Sequence, residues 1–173
     1  MALLGVTLVV GACSASSDSP ADDIATGSEA WRTATLRDVT TGEDFRIADL
    51  EGKVVAIEAM AIWCSTCRIQ QLEAQAALAE VDSPDVVYLS LDIDPNERAD
   101  ELAEYARREG FDWRFVVASR EVARSLVASF GDQVLSAPAT PVIVLGPDGA
   151  VVEQHFGIKG AGELAALFEE QLP

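Results

Sequence analysis

The stretch Trp63-Cys64-Ser65-Thr66-Cys67 places two cysteines at the junction of two segments of different character. The run before it, residues 54–62, is almost entirely apolar, which predicts a buried strand. After it, apolar side chains recur at helical spacing and fall on one face, namely Ile69, Leu72, Ala76 and Ala79. The cysteines are therefore predicted to lie where a buried strand passes into a helix.

That position favours reactive sulfur. The start of a helix offers unpaired N–H groups and the positive end of the helix dipole, and both stabilise a thiolate, the reactive form of cysteine. Two cysteines separated by two residues can close and reopen a small disulfide ring, so the spacing predicts a redox-active pair. A zinc site is excluded by its need for four ligands, because there is no second such pair and His155 is the only histidine. A purely structural disulfide stays as the alternative.

Length and charge narrow the class of protein. The chain has 173 residues, 49% of them hydrophobic, which suits one domain with a full core. The net charge of −17 excludes nucleic acid as a partner, since nucleic-acid binding needs a basic surface. Three cysteines are present, so Cys13 is left over after the pair and needs a role of its own.

The N-terminus resembles an export signal that ends in a lipidation site. Residues 1–12 carry no charge and are mostly apolar, but they are too few to span a bilayer as a helix. They end in Val10-Gly11-Ala12-Cys13, which resembles a bacterial lipobox, although no basic residue precedes the run. We therefore interpret residues 1–13 as a signal peptide with lipidation at Cys13. Residues 14–30 are small, polar and acidic, and are predicted to form a flexible tether, with the folded domain at 31–173.

The rest of the chain alternates strand and helix patterns. A turn signal at 41–43 predicts a β-hairpin near the start of the domain, and Gly146 to Gly149 predicts a second hairpin near its end. Between and after them we predict strands at 86–92, 113–118, 141–145 and 150–156, and helices at 97–109, 122–130 and 160–172. This order predicts an α/β fold with a mixed sheet.

The order of strand, Cys-x-x-Cys, helix, strand, Thr-Pro strand, hairpin and helix resembles the thioredoxin superfamily. The N-terminal hairpin, the signal with its tether and the helix–strand–helix insert at 97–130 resemble the membrane-tethered TlpA/ResA-like thiol–disulfide oxidoreductases. The resemblance implies a thioredoxin-like mixed sheet flanked by helices. It also implies an extracytoplasmic, lipid-anchored bacterial enzyme that exchanges disulfides with protein thiols and has no cofactor beyond its own disulfide. Apocytochrome c thiols are candidate substrates, and a membrane redox partner would set the direction of exchange.

The same resemblance assigns roles in the site. It makes Cys64 the exposed nucleophile and Cys67 the resolving thiol. It places Thr140-Pro141 opposite the disulfide with a cis bond, which together with Trp63 shapes a substrate groove. Pro138 is then an ordinary loop proline.

Glu58 stands out on physical grounds. It lies in a strand that is otherwise apolar, where a carboxylate is costly unless it is protonated, paired or hydrated. By the resemblance it is the buried acid that moves protons for Cys67, and Ser90 stands where the thioredoxin pattern has a lysine. The alternative is a structural ion pair between Glu58 and Lys53.

Two other functions compete with disulfide exchange. Sco-type copper chaperones use two cysteines spaced by three residues and a histidine before the last hairpin, and this sequence has neither feature. The rival from another class is a non-catalytic thioredoxin-fold module that carries a metal or a protein partner. Such a module would titrate thiols stoichiometrically and show no turnover with insulin.

We expect lipidation of Cys13 to hold the protein at the membrane. Cys13→Ser should move the full-length protein from the membrane fraction to the soluble fraction and remove the mass of the lipid. If the variant stays in the membrane with an unchanged mass, the anchor is not a lipid on Cys13.

Overall fold

The computed structural model describes residues 29–172, so the predicted signal peptide, Cys13 and the tether up to residue 28 lie outside the described residues. Five helices follow in chain order: α1 Ala30–Thr33, α2 Ser65–Val81, α3 Ala99–Glu109, α4 Arg120–Phe130 and α5 Ala161–Gln171. Seven strands alternate with them: β1 Leu36–Arg37, β2 Asp44–Phe45, β3 Val54–Met60, β4 Val86–Asp92, β5 Arg114–Val117, β6 Val142–Leu145 and β7 Val151–His155. Within this range no helix is both long enough and apolar enough to cross a membrane.

Five strands form the main sheet, in the order β5-β4-β3-β6-β7. β3, β4 and β5 run parallel, whereas β6 and β7 are antiparallel to their neighbours, so the sheet is mixed as predicted. β3 lies at the centre and is buried along its whole length. Because β3 and β4 are parallel, both end at the same edge, and the two cysteines follow β3 there.

The two faces of β3 pack against different helices. Val55 and Ile57 share a core with Trp31 of α1 and Leu126 of α4. On the other face, Val54 and Ala56 share a core with side chains of α2 and α5, among them Ala74, Ala77, Leu164 and Phe168. Alternation along the strand puts Glu58 on this second face, beneath α2.

The N-terminal hairpin is confirmed but short. β1 and β2 pair over two residues each, and Gly42, with a φ of +79°, supplies the left-handed turn between them. The buried Asp38 carboxylate organises this turn by accepting hydrogen bonds from Thr40 and Thr41. The Val39 N–H donates to the Phe115 carbonyl oxygen at 2.8 Å, which ties the hairpin to β5 at the sheet edge.

The insert of α3, β5 and α4 matches its prediction closely. Leu102, Tyr105 and Ala106 point inward from α3, and Val122 and Leu126 are buried on α4. α3 begins at Ala99, two residues later than predicted, with the Glu101 carboxylate accepting the Arg98 N–H. Gly110 ends it with a φ of +76°.

Helix α2 is present as predicted, but the face that its apolar side chains mark is not the buried one. Ile69 and Leu72 are 44% and 39% exposed. The residues that face the core are Cys67, Gln70, Gln71, Ala74 and Ala77. Two glutamines therefore lie in the interior directly behind the second cysteine.

Candidate active site

Cys64 and Cys67 form a disulfide across the first turn of α2, with their Cα atoms 5.3 Å apart. Cys64 is the residue that caps the N-terminus of the helix, and its Sγ accepts the Cys67 N–H at 3.1 Å. Cys64 is only 3% exposed, so it is not the exposed residue that the resemblance implied, but Cys67 is fully buried and Cys64 is still the more accessible sulfur. Helix position and hydrogen bonding thus both favour a thiolate on Cys64 when the disulfide opens.

The segment opposite the disulfide is a short 3₁₀ turn at Ala137–Ala139. The Ala137 carbonyl oxygen lies 3.1 Å from Cys67 Sγ. The Thr66 hydroxyl donates to the Pro138 carbonyl oxygen at 3.2 Å and lies 3.3 Å from Cys64 Sγ. Pro138, predicted to be an ordinary loop proline, therefore belongs to the wall of the site.

The predicted cis bond between Thr140 and Pro141 is wrong, because residues 29–172 contain no cis peptide bond. Thr140 takes a left-handed conformation, with a φ of +43°, and turns the chain sharply out of the 3₁₀ turn. As a result the Pro141 carbonyl oxygen accepts the Ala59 N–H at 3.0 Å and lies in line with the sheet. This turn leaves the carbonyl oxygens of Ala137 and Pro138, instead of Thr140 and Pro141, in contact with the Cys-x-x-Cys turn.

Trp63 is held at the surface beside the disulfide. Its ring is 61% exposed, and its Nε1–H donates to Asp94 Oδ2 at 2.7 Å. This hydrogen bond holds the pKa of Asp94 below its ordinary value. A cavity of about 360 Å³ opens next to the indole. Its apolar lining comes from Trp63, Ile93, Pro95, Leu135 and Pro138.

Glu97 anchors the backbone just before the cysteines. Its two carboxylate oxygens accept the Ile62 N–H at 3.0 and 2.8 Å. Asp92 is buried close by at the end of β4; its Oδ1 accepts the Asp94 N–H, and its Oδ2 has no hydrogen-bond partner. Burial raises the pKa of Asp92 to about 8, and the negative charge of Glu97 adds to the rise. Sequence reasoning missed these acids, although Asp92 ends a buried strand and Asp94 and Glu97 follow it within five residues.

Glu58 is completely buried, as its apolar strand predicted. Burial raises its pKa to about 8, and the nearby polar side chains of Gln71, Ser90 and Tyr88 offset this only in part. Ser90 donates to Glu58 Oε2 at 3.2 Å, whereas Oε1 has no hydrogen-bond partner. The alternative ion pair with Lys53 is wrong, because the Lys53 Nζ instead lies 3.2 Å from Asp85.

Gln70 uses both ends of its amide to bind one residue near α5. The Gln70 amide donates to the Lys159 carbonyl oxygen at 3.2 Å and accepts the Lys159 N–H at 2.7 Å. An ionised carboxylate could not donate the first of these bonds. Gln70 therefore fastens α2 to the segment that leads into α5.

The raised pKa values predict a loss of stability with rising pH. The ordinary values for Glu58 and Asp92 are 4.5 and 3.8, and both rise to about 8 in the folded protein. Between these limits the unfolded chain releases protons that the folded protein keeps, so the free energy of unfolding falls as pH rises. Glu58→Gln should raise Tm clearly at pH 9, change it little at pH 4, and so flatten the Tm profile.

Thermal unfolding from pH 4 to pH 9 measures this effect, and Glu51→Gln, at an exposed position, is the matched control. A Glu58→Gln profile that runs parallel to the parent profile would contradict a raised pKa for Glu58.

Loss of the Glu97 carboxylate should loosen the start of the site. Glu97→Ala leaves the partly buried Ile62 N–H without its acceptor, at a cost of about 1–3 kcal/mol in the free energy of unfolding. Urea unfolding measures the change, and Glu104→Ala, at an exposed position on the nearby helix α3, should cost under about 0.5 kcal/mol. Equal losses in the two variants would show that the Ile62 contact contributes nothing to stability.

Comparison with known proteins rests on structure, because no protein-family model and no curated protein matches the sequence. A thioredoxin-family thiol:disulfide interchange protein from Chlorobium tepidum TLS superposes with a TM-score of 0.64 at 19% identity, covering 80% of this chain and 92% of that one. The thioredoxin domain of a thiol-disulfide oxidoreductase from Bacteroides vulgatus gives 0.62 at 17% identity, covering 80% and 92%.

A SCO1/SenC family lipoprotein from Bacillus anthracis str. Ames also superposes, with a TM-score of 0.62 at 17% identity and coverage of 79% and 91%. Identities this low establish the fold and not the activity. The five-stranded mixed sheet, its flanking helices and the Cys-x-x-Cys turn at the end of the central strand are therefore a thioredoxin-like fold, shared with thioredoxin-family oxidoreductases and with Sco-family proteins.

Proposed function

We propose that this protein is an extracytoplasmic thiol–disulfide oxidoreductase that exchanges disulfides with cysteines of other proteins. The observation that carries the proposal is the Cys64–Cys67 disulfide at the N-terminus of α2, with Cys64 as the capping residue. A structural disulfide needs no helix dipole and no N–H donor directed at one of its sulfurs. Here both act on Cys64, the more accessible of the two.

The exchange takes two steps. In the reducing direction, the Cys64 thiolate attacks a substrate disulfide, forms a mixed disulfide and releases one substrate thiolate, which takes up a proton. Cys67 then loses its proton and attacks Cys64 Sγ, which releases the second substrate thiolate and closes the Cys64–Cys67 disulfide. Two electrons pass from the cysteine pair to the substrate, and the reverse sequence oxidises substrate thiols.

Glu58 is proposed to handle the proton of Cys67. Cys67 is fully buried, so its proton needs an acceptor inside the protein. Glu58 lies on the face of the sheet that packs under α2, and its pKa of about 8 lets it both accept and return a proton near neutral pH. Its unpartnered Oε1 is available for this transfer.

Location and partners follow from the sequence and from the neighbours. The lipobox-like stretch ending at Cys13 supports export and lipid anchoring, and one structural neighbour is itself a lipoprotein. We propose exported protein thiols, such as those of apocytochrome c, as substrates and a membrane redox protein as the partner that sets the direction.

Insulin reduction with dithiothreitol tests the activity. The parent protein should turn over many times, and Cys64→Ser should show no activity because it has no attacking sulfur. Cys67→Ser should complete only the first step and accumulate a mixed disulfide at Cys64, detected by mass. Stoichiometric thiol consumption without turnover by the parent would refute the enzyme and support a binding module.

The pH dependence of turnover tests the role of Glu58. Turnover by the parent should rise through about pH 8, as Glu58 becomes able to accept a proton. Glu58→Gln should be slower by up to about 10²-fold at high pH and have a flatter profile. A Glu58→Gln variant that turns over like the parent at every pH would exclude this relay.

A further inference from the structure

A chain of buried hydrogen bonds runs from the insert to Glu58. The Tyr105 hydroxyl on α3 donates to Gln71 Oε1, and the Gln71 Nε2–H donates to Ser90 Oγ at 3.4 Å. The Trp113 Nε1–H also donates to Ser90 Oγ, at 2.9 Å. Ser90 Oγ in turn donates to Glu58 Oε2 at 3.2 Å.

We propose that Tyr105, Gln71 and Ser90 are positioning residues that hold the Glu58 carboxyl in one hydrogen-bonded orientation, with Ser90 as the direct donor to Oε2. The inference rests on the proposed function for its catalytic meaning, because Glu58 acts there as the proton acceptor of Cys67. These three residues are uncharged, yet they favour the ionised form of Glu58, as a positive charge beside the carboxylate would.

The donors and acceptors that these side chains offer determine the direction of each hydrogen bond between Tyr105 and Glu58. A phenolic hydroxyl that donates to Gln71 holds the oxygen of that amide toward α3, so its NH₂ group must face Ser90. A serine hydroxyl has two lone pairs and one hydrogen. Gln71 and Trp113 use both lone pairs, so the Ser90 hydrogen is left for Glu58.

The two oxygens of the Glu58 carboxyl group therefore have different surroundings. Glu58 Oε2 is committed as an acceptor from Ser90, and Oε1 is buried without a partner. When Glu58 is neutral, Oε1 is the oxygen open to carry its proton, and the buried Tyr88 hydroxyl is the other titratable group beside the carboxyl. A donor directed at the ionised form lowers the pKa of an acid, so the chain opposes the rise that burial causes.

The placement of Gln71 connects the chain to the cysteines. Gln71 follows Cys67 by four residues on the inner face of α2, so the two side chains are neighbours one helical turn apart. Ser90 pairs directly with Glu58 across β3 and β4. The amide of Gln71 therefore lies between the layer that holds Cys67 and the layer that holds Glu58.

The test measures the titration of Glu58 directly, by NMR of protein with ¹³C-labelled glutamate side chains, assigned by the signal missing in Glu58→Gln. Ser90→Ala removes the donor to Oε2 and should raise the midpoint by roughly 0.5–1 pH unit. Tyr105→Phe frees the Gln71 amide to rotate and present its oxygen to Ser90, which diverts the Ser90 hydrogen from Glu58. This variant should raise the midpoint in the same direction, and it keeps the test available if Ser90→Ala does not fold.

Ser125→Ala is the matched control. Ser125 is also buried, and its Oγ accepts the Trp31 N–H at 2.9 Å on the opposite side of the sheet. It should destabilise the protein without moving the Glu58 midpoint. In the double variant Ser90→Ala/Tyr105→Phe, the midpoint should match that of Ser90→Ala alone, because both changes act on one bond.

The proposal is overturned if the Glu58 titration midpoints of Ser90→Ala and Tyr105→Phe both equal that of Ser125→Ala. If the two shifts add in the double variant, the path through Gln71 is overturned. The titration is independent of turnover, so the two proposals fail separately. Shifted midpoints in a protein that does not reduce insulin would refute the enzyme and leave the positioning chain intact. Insulin turnover with unshifted midpoints would refute the chain alone.

Discussion

Complete burial of β3 is the constraint on which the structure of the site depends. Helices cover both faces of the strand and separate its side chains from bulk solvent, and the turn that carries the cysteines follows directly at its C-terminal end. Within that strand one side chain, Glu58, is ionisable. Burial makes its charge expensive and makes its neutral form the stable one up to about pH 8. A group that changes charge near neutral pH is thus placed in the layer beneath the disulfide.

The Asp92 carboxyl is also buried, but its neighbours differ from those of Glu58. Asp92 ends β4 beside the last residue of β3, and its pKa also rises to about 8. Neutral donors surround Glu58, whereas Asp92 lies near the negative charge of Glu97. Burial raises the pKa of both acids, and hydrogen bonds oppose the rise at both, but only Asp92 also has a neighbouring negative charge that adds to it. Both acids therefore favour their neutral form at neutral pH, although the chain as a whole carries a net charge of −17.

The sequence predicted the elements of the fold and much of the site, because periodicity and turn residues are local signals. The apolar run, the Cys-x-x-Cys turn and the isolated Glu58 were visible without a structure. The buried face of α2 was not, because Gln70 and Gln71 are satisfied by Lys159 and Tyr105, which are 89 and 34 positions away. The wall opposite the cysteines was misplaced for a similar reason. The left-handed backbone conformation of Thr140 determines which residues face the disulfide, and a threonine in the sequence does not predict that conformation.

The same contacts change how the insert should be understood. In the sequence the insert is an extra helix–strand–helix unit added to the sheet. In the structure, side chains from the insert and from the loop that leads into it contact three parts of the site. Asp94 binds the indole of Trp63, Glu97 binds the backbone of Ile62, and Tyr105 orients Gln71. Each contact acts on a different property: the exposed ring beside the cavity, the position of the cysteine turn, and the hydrogen bonding of Glu58. Because all three originate between residues 94 and 105, a shift of this one segment would alter the exposed ring, the position of the cysteine turn and the hydrogen bonding of Glu58 together. The segment therefore belongs to the candidate active site as much as the strand that ends in the cysteines.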